Sequence, residues 1–245
     1  MSTSTILKQV YIWTTLVAFF ASVYFFDHFA KVSLSYNVCN NFLLNDTALQ
    51  FSIEPEIVST SLLFRICFTS LLVVLTAGET SRVHSKQTVL HFKILFDIVR
   101  SVWKYLQYIL CGAYWSGLLL LMIKLRIGRL RPCFLEACNL NSSLNGKDQL
   151  IYDVSRCSNT NYHYYCQSFF SGHAMIAFYV FMSIAGYINA KKISWKKIYF
   201  IYCLAFSCLI SYSRVLDSQH HLTDVIVGAA VGCIFAFLSL KIANV

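Results

Sequence analysis

Six apolar stretches long enough, or nearly so, to cross a hydrocarbon core constrain this chain more than any other feature. They run from Val10 to Phe26, Ile57 to Ala77, Val102 to Ile123, Ala174 to Ala190, Ile198 to Tyr212 and Val225 to Leu240, the fifth being the shortest. Inside lipid a backbone has no water to bond, so each stretch must satisfy its own amides and carbonyls as a helix. The expected fold is therefore all-α, an integral membrane bundle of six transmembrane helices, with residues 1–245 forming one domain. Composition agrees, since 57% hydrophobic and 13% charged residues leave too little polar surface for a soluble domain. The formal charge of +9 does not indicate nucleic acid as a partner, because Lys and Arg punctuate apolar runs rather than gathering on a soluble face. The lipid bilayer is the expected partner. Only Lys8 precedes the first stretch, which lacks a small-residue cleavage pattern, so it reads as a retained helix rather than a signal peptide.

Loop charges set the expected orientation. The link after the fourth stretch carries Lys191, Lys192, Lys196 and Lys197 with no acid, a positive-inside signal that assigns it to the cytoplasm. A loop from Gly78 to Arg100 agrees through Arg82, Lys86, Lys93 and Arg100, whereas Asp27, Asp46, Glu54 and Glu56 face only Lys31 in the loop before the second stretch. Both termini then lie in the cytoplasm. Three polar motifs consequently meet at the extracellular or lumenal face: one at the end of the third stretch, one opening the fourth and one joining the fifth to the sixth.

In the first motif, Lys124 and Arg131 are seven residues apart, almost two turns, and would share a face if the helix continued to Pro132. Such a pair suits a phosphate, with bidentate bonds from Arg and a point charge from Lys. An interfacial belt touching lipid headgroups is the other reading, and it is the one assigned to Arg126 and Arg129. In the second motif, Ser171 is placed to cap the fourth helix, Gly172 admits close approach of an anion, and His173 falls in the first turn. By position alone such a histidine is more often structural. In the third motif, His220 and Asp224 are four residues apart, a spacing at which one helical face lets a carboxylate hold an imidazole in one tautomer. His221 has Val225 at the matching position and reads as a packing or secondary polar contact, while Arg214 adds a third cation at a depth where polar groups carry function.

In order, the motifs read Lys-x6-Arg-Pro, Ser-Gly-His and Ser-Arg-x5-His-x3-Asp, and the pattern resembles the type 2 phosphatidic acid phosphatase (PAP2) superfamily, in particular its eukaryotic lipid phosphate phosphatase branch. The detailed likeness covers Lys124 to Gly228; Phe170 stands where many members have Pro, a position that carries no catalytic group. The resemblance implies a phosphatase acting on phosphatidic acid, lysophosphatidic acid, sphingosine 1-phosphate or ceramide 1-phosphate. It implies that His220 attacks phosphorus, that Asp224 orients it, and that His173 protonates the leaving alkoxide and then activates water. Lys124, Arg131, Arg214, Ser171 and Gly172 would hold the phosphate, with no metal or other cofactor, and no carboxylate cluster suited to Mg²⁺ accompanies the motifs. A lipid headgroup transferase or a noncatalytic scaffold of the same superfamily is the alternative; the first would be less apt to keep all three cations and the second would typically lack a motif residue. A soluble vanadate haloperoxidase would share the cations but not the six apolar stretches. Plasma membrane and endoplasmic reticulum both fit, since the final residues match no retrieval signal.

Cys67, Cys111, Cys203, Cys208 and Cys233 lie in apolar stretches and read as packing residues. Cys133, Cys138, Cys157 and Cys166 lie in the loop between the first two motifs, where an oxidising compartment favours at least one disulfide over zinc, and Cys39 has no assigned role. Asn45-Asp-Thr47 and Asn141-Ser-Ser143 are glycosylation sequons in loops assigned to the same outer face. Arg65, inside the second stretch, is expected to snorkel or pair.

Overall fold

The computed structural model describes residues 3–24, 39–84, 91–140, 151–152, 154, 157–192 and 196–243. Asp27, Lys31, Lys86 and the Asn141 sequon, invoked above, lie outside them. Long helices account for the apolar stretches: α1 (Thr3–Tyr24), α2 (Thr60–His84), α3 (His91–Ile127), α6 (Gly172–Ala190), α7 (Lys196–Leu216) and α8 (Leu222–Ala243), with the short α4 (Phe134–Ala137) and α5 (Tyr162–Tyr165) between α3 and α6. Five of these, α2, α3, α6, α7 and α8, are long and apolar enough to cross a membrane, whereas the apolar helical stretch of α1 described by those criteria, Thr5–Ala21, is shorter. Two expected boundaries are corrected. The supposed loop from Gly78 to Arg100 is largely the end of α2 and the start of α3, whose 37 residues make it about 55 Å long. The fifth stretch lengthens to the 21 residues of α7 because polar residues at both ends extend the helix beyond the apolar run.

The innermost helix is α6: 61% of its apolar window is buried, against 22–33% for the other four. It packs most extensively on α8 and α7 and also touches α2 and α3. On α2, Leu63, Cys67, Leu71 and Leu75 recur every fourth residue, a ridge that joins the core around α6 and ends at the buried Glu79. Against α8 the backbones come close. A Cβ on Gly228 would lie 2.5 Å from the Ser171 carbonyl oxygen, and one on Gly232 would lie 2.4 Å from that of Met175 and 2.9 Å from the Tyr179 amide. Glycines four apart thus let α8 settle onto α6, as small residues do where lipid provides no hydrophobic drive for helix association.

A small cap sits at the end of the bundle where the three motifs gather. Strands β1 (Phe42–Leu43) and β2 (Ile151–Tyr152) pair antiparallel, and Phe42, Leu44, Leu49, Leu130, Phe134 and Leu135 form a second apolar cluster. Two disulfides staple this cap, Cys39–Cys166 and Cys138–Cys157. This corrects the sequence reading of the cysteines: Cys133 is free and fully buried, and the partner of Cys166 is Cys39, which arrives from the loop before α2 rather than from the same loop. At the opposite end, Glu79 on α2 receives Arg82 at 2.7 Å, Lys191 at 3.1 Å and the Tyr187 hydroxyl at 3.0 Å, tying α2 to the end of α6. Among the described residues Arg65 pairs with no acid; its Nε donates to the Ser61 carbonyl of its own helix at 3.3 Å.

Candidate active site

The first motif does not stay helical. Helix α3 ends at Ile127, and Gly128 takes a φ of 63°, a left-handed conformation that glycine adopts without a Cβ penalty and that commonly closes helices. Arg131 therefore reaches the site from a turn, in place of the continuing helical face that the Lys124–Arg131 spacing predicts. Lys124, still on α3, donates from Nζ to the Gln167 carbonyl at 3.0 Å. Arg131 is 4% exposed; its Nε donates to the Tyr164 carbonyl at 3.1 Å, its Nη1 donates to the Tyr164 hydroxyl and to Gln219 Oε1, and its guanidinium lies 3.9 Å from the centre of the Tyr164 ring. Burial lowers the Arg131 pKa, with partial opposition from Tyr164.

The second and third motifs bring two helix N-termini together. Ser171 is the N-cap of α6, its side chain accepting from the Ala174 amide at 3.5 Å, and its own amide donates to the Asp224 carbonyl at 3.0 Å. His173 follows in the first turn beside the Val58 backbone, and among the described residues its Nε2 has no hydrogen-bond partner. His220 is not on a helix: α8 begins at Leu222, so the expected helical face from His220 to Asp224 is replaced by a turn followed by a helix start. The Asp224 carboxylate reaches back to the His221 amide at 3.1 Å, as an acid three residues into a helix does in a capping box. Its Oδ2 also lies 3.9 Å from His220 Nδ1, beyond direct hydrogen-bond length. Burial pushes the His220 pKa down to about 3, against the pull of Asp224 and assisted by Arg131 and Lys124. The imidazole is thus neutral at physiological pH.

Arg214, 1% exposed, is held by three partners: Glu56 Oε1 at 3.0 Å, the Val58 carbonyl at 2.9 Å and Asp217 Oδ2 at 3.2 Å. Asp217 also accepts from the Ile57 amide, and burial raises its pKa. Five buried side-chain nitrogens and oxygens lack hydrogen-bond partners among the described residues, and three of them belong to this site: His173 Nε2, His220 Nδ1 and Arg214 Nε. Lys124, Arg131, Arg214 and the two histidines lie close enough for their charges to act on one another. Gly172, the first residue of α6, completes the set named from sequence.

Several contributors escaped the sequence reading. Arg129, assigned there to a headgroup belt, instead donates from Nη1 to Asp224 Oδ1 at 2.5 Å and to Thr223 Oγ1 at 2.8 Å. Ser168 donates to Asp224 Oδ2 at 2.6 Å. Tyr164, Gln219 and Glu56 are likewise visible only once the chain is folded, because each acts through a partner far away in sequence. His221 makes a polar contact, its Nε2 lying 3.0 Å from the Leu130 carbonyl.

Comparison with known proteins identifies the family. Residues 101–245 match the model of the PAP2 superfamily, and the chain belongs to that superfamily. It is 30% identical over 207 residues to phospholipid phosphatase 2 of Rattus norvegicus, an alignment covering 81% of this chain and 74% of the relative. Phospholipid phosphatase 2 of Homo sapiens is 29% identical, with 81% and 71% covered, and phospholipid phosphatase 1 of Rattus norvegicus is 29% identical, with 79% and 71% covered. No solved structure matches.

Proposed function

We propose that this chain is a membrane lipid phosphate phosphatase that hydrolyses monoesters such as phosphatidic acid, lysophosphatidic acid, sphingosine 1-phosphate and ceramide 1-phosphate without a metal. The observation that carries the reading is the buried, neutral His220 facing Asp224 among Lys124, Arg131 and Arg214, with unpartnered nitrogens on His173, His220 and Arg214. Relatives named phospholipid phosphatases lend it further support.

With Nδ1 turned toward Asp224, His220 Nε2 attacks phosphorus as the bond from phosphorus to the lipid oxygen breaks, and His173 gives its proton to the leaving alkoxide. Water then attacks the phosphohistidine, His173 takes a proton from it, and the nitrogen–phosphorus bond breaks to release inorganic phosphate and free His220. Lys124, Arg131, Arg214 and the Gly172 amide stabilise the phosphoryl oxygens, so the protein supplies the charge that divalent cations supply in other phosphoryl-transfer sites. Six crossings, α1 included, with both termini and the lysine link on the cytoplasmic side, put this chemistry at the extracellular or lumenal face. Glycan on Asn45 or Asn141 would bear on that orientation.

The test is phosphate release from phosphatidic acid in detergent micelles with excess chelator, comparing the protein with His220→Ala. Release that survives chelation and disappears in the variant is expected. No release by the intact protein from any of these monoesters would return the choice to headgroup transfer or scaffolding.

A further inference from the structure

Five consecutive residues, Tyr164 to Ser168, hold three of the charged groups on which the proposed reaction depends. The Tyr164 carbonyl, hydroxyl and ring engage the Arg131 side chain, and the Tyr165 carbonyl accepts from the Arg131 amide at 2.8 Å. The Gln167 carbonyl holds Lys124, the Ser168 hydroxyl holds Asp224, and the Ser168 amide donates to the Arg129 carbonyl at 2.9 Å. Three of these contacts use the stretch's own backbone carbonyls, so they depend on the path of the chain more than on which side chains it carries. Only the four-residue helix α5 gives this path local regularity. Cys166 lies in the middle of the stretch and is bonded to Cys39, 127 positions earlier in the sequence. The next residue, Asn40, donates from its amide to the Gly128 carbonyl at 3.0 Å, in the turn that separates Lys124 from Arg131. The disulfide therefore joins the backbone that holds the cations to the backbone that delivers them.

We propose that the Cys39–Cys166 disulfide is a positioning element for the reaction: by fixing the path of Tyr164–Ser168 it sets Lys124, Arg131 and Asp224 for phosphate. The Cys138–Cys157 disulfide serves the cap alone. Its surroundings bond to Ala137 and Cys138 carbonyls, away from those three groups. The inference rests on the phosphatase reading, and two separate measurements keep the two apart.

Affinity for inorganic phosphate, read from its protection against thermal unfolding, and kcat and KM on phosphatidic acid are compared for the parent, Cys39→Ala/Cys166→Ala and Cys138→Ala/Cys157→Ala. About tenfold weaker phosphate binding and at least about tenfold lower kcat are expected for the first double variant, with the second within about twofold of the parent on both. A folded Cys39→Ala/Cys166→Ala protein within about twofold of the parent on both measurements overturns the proposal. Should that variant not fold, Ser168 decides: Ser168→Ala is expected to lose about tenfold in kcat while keeping phosphate affinity, and Ser168→Thr to recover most of it. Equal kcat in Ser168→Ala and parent would then reject the positioning role. A parent that binds phosphate but hydrolyses no lipid monoester sinks the phosphatase reading alone, and the phosphate affinities still judge the disulfide.

Discussion

Arg129 occupies one oxygen of the Asp224 carboxylate while the other faces His220, so a single side chain both neutralises and aims the acid of the pair. Asp224 is fully buried, whereas the Arg129 side chain is 34% exposed and reaches in from the turn after α3. Truncating it removes a charge-assisted bond from a buried carboxylate.

Arg129→Ala is therefore expected to lower kcat by about tenfold to a hundredfold with KM little changed, since in the proposed mechanism Arg129 orients Asp224, the partner of His220, rather than binding substrate. Arg129→Lys should recover part of the loss. Steady-state kinetics on one lipid monoester checks this, and a loss confined to KM would show that Arg129 binds the headgroup instead.

The two histidines should separate by leaving group. His173→Ala is expected to lose about a hundredfold or more on a lipid monoester, whose alkoxide needs a proton, and far less in the first step on p-nitrophenyl phosphate, whose leaving group does not. Rapid-quench measurement of p-nitrophenol should then show a burst, as phosphohistidine forms faster than it is hydrolysed. His220→Ala should be inactive on both substrates, and comparable losses of His173→Ala in the burst and on lipid would remove the acid role.

Acid stability follows from His220. Its pKa is held at about 3 by burial, against an ordinary 6.5, so the unfolded chain takes up a proton that the folded chain refuses across that interval. The contribution is fully present above about pH 6.5 and is lost progressively as pH falls toward 3. Thermal unfolding in detergent between pH 7.5 and 4.5 should show Tm falling with pH, and His220→Asn, which does not titrate, should show a shallower fall. Parallel curves for the two proteins would mean that the slope originates elsewhere.

Gly228 offers a steric test of the seam between α6 and α8. Its substitution by Ala drives a Cβ to 2.5 Å from the Ser171 carbonyl, backbone that cannot step aside, one turn from Asp224. Loss of about 1–3 kcal/mol of stability is expected together with reduced kcat. Gly117→Ala, where nothing lies within 4 Å of the new methyl, should be neutral or stabilising by up to about 1 kcal/mol. Tm and kcat measured on both variants decide the matter; an undisturbed Gly228→Ala protein would mean that the seam is looser than described.

The helices were legible because apolar length alone forces them, and the three motifs because their residue types are expensive to bury without purpose. What sequence could not show is how the motifs are delivered. Lys124 and Arg131 looked like one helical face, yet Gly128 breaks α3 between them and sends Arg131 around a turn. Arg129 looked like a headgroup contact because its partner, Asp224, is 95 residues away, and nothing local distinguishes a buried ion pair from an interfacial charge. Cys39 had no visible partner for the same reason: long-range pairing is set by the fold, and spacing within a single loop is silent about it.

Helix α6 is fastened at both ends, at Ser171 to α8 beside the site and at Lys191 and Tyr187 to the buried Glu79 of α2. Its 19 residues span about 28 Å, close to the thickness of a hydrocarbon core. A helix so tethered cannot relieve a mismatch with its surroundings by tilting alone; either the whole bundle leans or the lipid deforms around it. Acyl-chain length in the host membrane would then reach the segment that carries His173 through the helices packed around it.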